Sequence, residues 1–361
     1  MRWRAITREA WRNVVSGTSR AGIVAVVLVT AAVGLLLTDL FAVRGIVDRV
    51  DEFRSAGADV LVFSAASGVD PVRCEGIASA PGVHAAGAVR RDPDRYISTM
   101  PGSSIPTYEV SPGFAAVVHA APAEGVGVVL SRELATTLQV VPGGGVHVLA
   151  DGSGPAPTRV AGVYDYPADG RMSGFGFAML VPTLDRGPFD ACWVRQWPQS
   201  AETEVLLRSV AVADAGTDAT PPELTQLNTS LGRQLDARAL FLERPTRWLP
   251  LVGLLVAAAV GFAVVRLRRL EIASARHLRV PHGAQVLGVV LESCAWAVPV
   301  LLVGALAGAW VASSGVAADR GSTMALAMLA PIGVVLGGIA GSVLGVVSVR
   351  ERALLRYLKE R

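Results

Sequence analysis

The chain alternates between long apolar runs and short arginine-rich segments, with one long mixed stretch between the first and second runs. Ala21 to Thr38 carries no charge, Trp248 to Val265 none, Val286 to Ala312 only Glu292, and Thr323 to Val349 none. Runs of this length can cross the ~30 Å hydrocarbon core of a bilayer as helices. The pattern therefore predicts transmembrane helices over 21–43, 248–265, 286–312 and 323–349. The first is expected to be retained rather than cleaved as a signal peptide, because its basic region is long and no small-x-small cleavage site follows.

The segments between the runs set the orientation. Residues 1–20, 266–285 and 350–361 carry five Lys or Arg each, whereas the loop 313–322 carries one. Basic residues beside spans stay in the cytosol. This predicts a multi-pass protein of the cell membrane with both termini cytoplasmic, a cytoplasmic tail over 350–361, a short outer loop over 313–322, and residues 44–247 outside. Trp3, Ile6, Ala10, Trp11 and Val14 recur at helical spacing with arginines on the other face. Residues 1–20 are thus expected to form a helix lying in the inner membrane interface, against lipid. Asp39 is expected at the outer end of the first span, where water reaches it.

Residues 44–247 are long enough for a core of their own. Val60–Phe63, Val128–Leu130, Val146–Leu149, Arg159–Val163, Ala178–Val181 and Ala191–Arg195 read as strands. Pro71–Ser79, Ser131–Gln139 and Ala201–Ala213 read as helices, with Ser131 as an N-cap. Pro81-Gly82, Pro101-Gly102, Pro142 to Gly145 and Asp151 to Gly154 read as turns. The predicted class is a four-helix membrane protein with an α+β extracytoplasmic domain.

Composition agrees: 52% hydrophobic and 17% charged residues with a mean hydropathy of +0.46 are too apolar for an ordinary soluble protein. No basic face with interleaved aromatics is present, so no nucleic-acid partner is expected. His-Glu-x-x-His, Gly-x-Ser-x-Gly and Cys-x-x-Cys are absent, and His84, His119 and His147 stand alone. No catalytic residue, metal site or cofactor is expected in this chain. Gly143 to Gly145 precede a strand rather than a helix, which favours a hairpin over a phosphate cradle. Cys74 and Cys192 fall in the outer domain and Cys294 in a span; the first two either pair or lie buried as thiols.

Two features of the last spans bear on packing. Gly333, Gly337, Gly341 and Gly345 recur every four residues, and Gly304, Gly308 and Ala312 repeat the device in the third span. Small residues on one face let helices approach closely, so the two stripes are expected to meet. Glu292 lies about 9 Å from the inner end of its span, which leaves both a helix-pairing and a transport role open.

The stretch 266–285 joins two spans, and Glu271 to Leu278 can form about two helical turns before Pro281 and Gly283 stop it. Glu271-Ile272-Ala-Ser-Ala-Arg276-His-Leu278, with Glu292 following, resembles the Glu-Ile-x-x-x-Arg-x-Leu-Gly-Ala stretch of MacB/FtsX-type ABC transporter permeases. Arg279-Val280 stand where that pattern has Gly-Ala. Trp11-Arg12-Asn13 followed by Ser19-Arg20 is similar to the family's opening, and Val128 to Ala135 with Leu138, Val141 and Gly143 to the strand-helix-strand of the MacB periplasmic core domain.

The resemblance implies a non-catalytic permease subunit that pairs with a second permease, as a homodimer or heterodimer, and binds a cytoplasmic ABC ATPase holding ATP and Mg. An extracytoplasmic accessory protein would complete such an assembly. Residues Glu271, Ile272, Arg276 and Leu278 would then couple to the ATPase, the apolar pair by burial and the charged pair by fixing register. Export or extraction of a lipophilic, peptide or lipoprotein substrate is the implied work; the alternative is a transmembrane relay controlling a cell-wall hydrolase or another extracytoplasmic partner. This chain is not the ATPase, because a P-loop needs a lysine after its glycines and the only lysine is Lys359.

Overall fold

A computed structural model describes residues 3–120, 125–150, 153–212, 221–313 and 319–349. In chain order the helices are α1 Trp3–Val15, α2 Ala21–Ser55, α3 Pro71–Gly76, α4 Phe114–Val117, α5 Arg132–Thr137, α6 Ala201–Arg208, α7 Ala237–Glu243, α8 Leu249–Leu267, α9 Arg269–His277, α10 His282–Ser313 and α11 Arg320–Ser348. The strands are β1 Val60–Val69, β2 Val83–Ile97, β3 Met100–Val110, β4 Val128–Ser131, β5 Gly145–Ala150, β6 Ser153–Tyr164, β7 Met179–Pro182, β8 Phe189–Gln196 and β9 Glu223–Gln226. The chain divides into two compact units, Met1–Val47 with Arg238–Arg361, and Asp48–Ala237. The expected tail over 350–361, Lys359, the centre of the loop 313–322, the turn residues Asp151 and Gly152, and Ala213 lie outside the described residues, and the helix expected over Ala201–Ala213 ends at Arg208.

In the first unit, four helices among the described residues are long and apolar enough to cross a membrane: Ala21–Ser55, Pro245–Leu267, His282–Ser313 and Arg320–Ser348. Val24, Leu28 and Ala32 repeat every four residues along α2 and pack with Ala257, Trp296 and Val334 in the bundle core. The glycine stripe of α11 packs, but against a different helix from the one expected. A Cβ on Gly333, Gly337 or Gly341 would collide with the carbonyl oxygen of Pro250, Leu254 or Ala258, and one on Gly345 would meet Val265. The stripe therefore faces α8, and the rising order of both sets of residues makes α8 and α11 parallel. On α10, Gly304 and Gly308 accept Pro331, Ala327 and Met324 from another face of α11, in antiparallel order. Close approach is mutual on this side, because α8 carries its own four-residue repeat of buried small residues, Gly253, Ala257 and Gly261, and a Cβ on Gly261 would collide with the carbonyl oxygen of Gly338.

Asp39 also departs from expectation. It is 6% exposed, and Arg244 donates to it through Nε at 3.0 Å while its Nη1 donates to Phe241 O at 2.7 Å. A carboxylate can leave water when a guanidinium replaces its hydration, and this partner lies 205 residues away in the sequence.

In the second unit the strands form one mixed sheet in the order β3-β7-β4-β6-β5-β2-β8-β1-β9, with β3 also pairing β2. Tyr96 of β2 is opposite Ser104 of β3 on one side and Leu149 of β5 on the other. The strands β2, β3, β7, β4, β6 and β5 therefore close into a small barrel, filled by Ile97, Ile105, Leu130, Leu134 and Met179 among others. The remaining strands extend from the first half of β2. Phe114, Phe175, Tyr164 and Trp193 build an aromatic core beneath them. Cys74 of α3 and Cys192 of β8 are bridged, with Cα atoms 5.8 Å apart. The six expected strands are present, and Ser131 caps α5 by accepting from Leu134 N. The β2–β3 hairpin was not expected, and Pro101-Gly102 lie inside β3 rather than in a turn. Pro93 is accommodated where the β2–β3 register shifts between Asp92 and Arg95, the kind of position at which a strand tolerates proline.

Candidate coupling site

The segment after α8 turns twice and then enters α10. Arg268 interrupts the helix at the end of α8, α9 runs for nine residues, and Pro281 precedes α10. At the end of α9, Arg279 N donates to Arg276 O and Val280 N to Ala275 O, with Arg279 at φ 62°. This is the hydrogen-bond pattern of a left-handed helix cap, a place that favours glycine. The arginine thus occupies the conformation that the Gly of the Glu-Ile-x-x-x-Arg-x-Leu-Gly-Ala pattern adopts at no steric cost.

Arg276 was expected to meet a partner by charge. Within the chain its guanidinium turns inward: Nε donates to Gln285 Oε1 at 2.9 Å, Nη2 to Val346 O at 2.8 Å, and Nη1 to Val349 O. Nη2 also lies 2.8 Å from His282 Nδ1. The carbonyls belong to the end of α11, where a helix leaves acceptors unpaired and its dipole is negative. Gln285 completes the brace by donating to Ile272 O at 3.0 Å. One side chain therefore ties α9 to both α10 and α11.

Glu271 is likewise committed within the chain, accepting from Arg268 Nε at 3.1 Å. Arg268 Nη1 donates to Glu292 Oε2 at 2.6 Å, and Asn13 Nδ2 donates to Glu292 Oε1 at 2.7 Å. Glu292 is 8% exposed, and these contacts join α1, the α8–α9 junction and α10. On α1, Ile6 and Ala10 are buried while Trp3 and Trp11 are exposed, so part of the expected apolar stripe packs on the protein. Of the expected coupling residues, Ile272 is half-buried and Leu278 is 80% exposed. The roles of Arg268, Asn13 and Gln285 do not follow from the sequence pattern; of the three only Gln285 lies within about two turns of Glu292, whereas Arg268 and Asn13 meet that carboxylate from 24 and 279 residues away.

A second polar junction lies in the Asp48–Ala237 unit, at the end of α2. The helix closes with Ala58 N donating to Phe53 O and Gly57 N to Arg54 O, with Gly57 at φ 74°. Its last carbonyls then receive side chains from separate loops and strands. Arg195 Nη1 donates to Arg54 O at 3.3 Å, Arg171 to Ser55 O, Asn228 Nδ2 to Ala56 O at 3.0 Å, and Gln226 to Ala58 O. Arg195 also grips Asp59 at 2.8 Å and Val117 O at 2.8 Å. Burial pushes the Asp59 carboxyl up from its ordinary value even against the pull of Arg195, and the same burial draws Arg195 down. His119 is lowered by burial and by the neighbouring Arg195, Arg171 and Arg54. Among the described residues no cluster of three or more His, Cys, Asp or Glu could hold a metal ion.

No family model and no curated protein matches the sequence. Among solved structures, the chain is similar to the periplasmic region of MacB from Actinobacillus actinomycetemcomitans, at 10% identity and a TM-score of 0.32, over 45% of this chain and 86% of that one. It is also similar to the extracellular domain of the ABC-type transporter YknZ from Gram-positive bacteria, at 14% identity and a TM-score of 0.29, over 42% of this chain and 92% of that one.

Proposed function

We propose that the chain is the transmembrane permease subunit of a MacB/FtsX-type ABC transporter, working as a dimer with a second permease and driven by a separate cytoplasmic ATPase. In this reading α9 is the helix the ATPase grips. The observation that carries it is the contrast within α9 and its cap: Arg276 and Gln285 brace the helix to α10 and α11, while Leu278 projects at 80% exposure. A large apolar side chain held out from a braced, arginine-rich turn is suited to a hydrophobic groove on a soluble partner. The brace gives a displacement of α9 a direct path to the ends of two spans.

The ATPase supplies ATP and Mg; this chain converts their work into motion. Movement of an extracytoplasmic domain is the output in this reading. Export or extraction of a lipophilic, peptide or lipoprotein substrate is the function we infer, with both termini cytoplasmic. The test is Ile272→Asp with Leu278→Asp in the full chain co-expressed with its ATPase. Membrane insertion should persist, because the spans are untouched, while ATPase co-purification and stimulated hydrolysis fall. Undiminished recruitment of the ATPase would assign α9 to the lipid headgroups instead.

A further inference from the structure

Beside Glu292 the helix bundle leaves a half-open void of about 30 Å³, walled by Ser19, Arg268, Glu292, Ser293, Trp296 and Ser342 among others. We propose that this void is a hydrated site, in which one or two ordered waters join Ser19 to the Glu292–Arg268 pair. A water needs about 10–15 Å³ of such space and two to four polar partners. The volume therefore admits one or two waters.

The lining supplies the partners. Ser19 is 6% exposed and its Oγ has no hydrogen bond within the chain. A buried hydroxyl without a partner is costly, and water in the adjoining void removes that cost. Glu292 accepts from Asn13 and Arg268, leaving lone pairs, since a carboxylate offers about four acceptor sites. Arg268 spends Nε on Glu271 and Nη1 on Glu292, leaving Nη2 to donate. Ser293 and Ser342 give their protons to Val289 O and Gly338 O of their own helices, so their oxygens can still accept. The void thus presents both donors and acceptors, unlike the apolar cavities that stay dry. The site also adds a polar link to helices that already pack through apolar side chains, because Ser19 leads into α2 while Arg268 and Glu292 belong to the α8–α9 junction and α10.

The test is the full chain in lipid nanodiscs, imaged at a resolution that shows ordered water, together with the unfolding midpoints of Ser19→Ala and Ser19→Val. Hydration predicts density within hydrogen-bond reach of Ser19 Oγ. It also predicts that Ser19→Val, which fills the void and expels the water, lowers the midpoint by about 2–4 °C, with Ser19→Ala falling less. A void without density, in a map that shows water elsewhere in the bundle, overturns the proposal. So does a higher midpoint in Ser19→Val, the result expected when an unpaired hydroxyl is replaced in a dry cavity.

Discussion

Arg276 of α9 donates to the carbonyl of Val346, in the last turn of α11, at 2.8 Å. The contact crosses 70 residues of sequence and sets a charged donor on the negative end of a helix. Arg276→Met should therefore free α9 without unfolding the spans. Hydrogen bonds to charged groups contribute about 1.5–3 kcal/mol, so amide exchange in α9 should rise by one to two orders of magnitude while that of α10 and α11 interiors stays unchanged. Unaltered protection of α9 would show that the backbone holds the helix without its arginine.

The membrane helices and most strands were legible because their signals are local. An uncharged run of 18 or more residues, or a short β-branched run between turn residues, needs no partner to be read. What escaped was set by distant residues. Asp39 looked solvated because nothing near it in sequence hints at Arg244. The hairpin of β2 and β3 escaped because Arg90 to Arg95, with Pro93, lacks strand character, and its pairing tolerates the proline only through a register shift. The partner of the Gly333–Gly345 stripe is not set by the sequence, because α8 and α10 both offer a four-residue repeat of two glycines and one alanine. At the coupling site, the helix and its stop were legible from Pro281, whereas the inward course of Arg276 depends on where α11 ends.

Gly337 offers a test of that packing. A Cβ there would overlap the Leu254 carbonyl, whereas one on Gly34 of α2 would meet nothing within 4 Å. Gly337→Leu should force α8 and α11 apart at a cost of about 3 kcal/mol and reduce the yield of monodisperse protein in detergent. Gly34→Ala serves as the control and should leave yield unchanged. Equal yields from the two variants would place the stripe against lipid.

The bridge between Cys74 and Cys192 spans 118 residues. In the chain-entropy picture, closing a loop of that length limits the unfolded ensemble by about 4–5 kcal/mol. Both sulfurs are buried among Phe63, Phe189, Val194 and Leu207, so Cys74→Ala with Cys192→Ala removes the link and adds only small voids. The Asp48–Ala237 unit should then unfold at a markedly lower temperature in the full chain. Reducing the wild-type protein should bring it to nearly the same value. An unchanged midpoint under both treatments would show that the unfolded chain is already constrained without the bridge.

Arg279 closes the argument about α9, because it holds a left-handed backbone, φ 62°, without the freedom of glycine. An L-residue in this region costs about 1–2 kcal/mol, while glycine adds disorder to the unfolded chain worth roughly 0.5–1 kcal/mol. The difference favours Arg279→Gly by about 0.5–1 kcal/mol. The cap hydrogen bonds from Arg279 N to Arg276 O and from Val280 N to Ala275 O use backbone alone, so the substitution preserves them. Amide exchange at the end of α9 should slow by a factor of about 3, and the unfolding midpoint should not fall. Arg279→Ala separates conformation from charge: it removes the guanidinium but keeps the strain, so its exchange should stay at the wild-type rate. If alanine and glycine slow exchange equally, the charge of Arg279 rather than its backbone was limiting the cap.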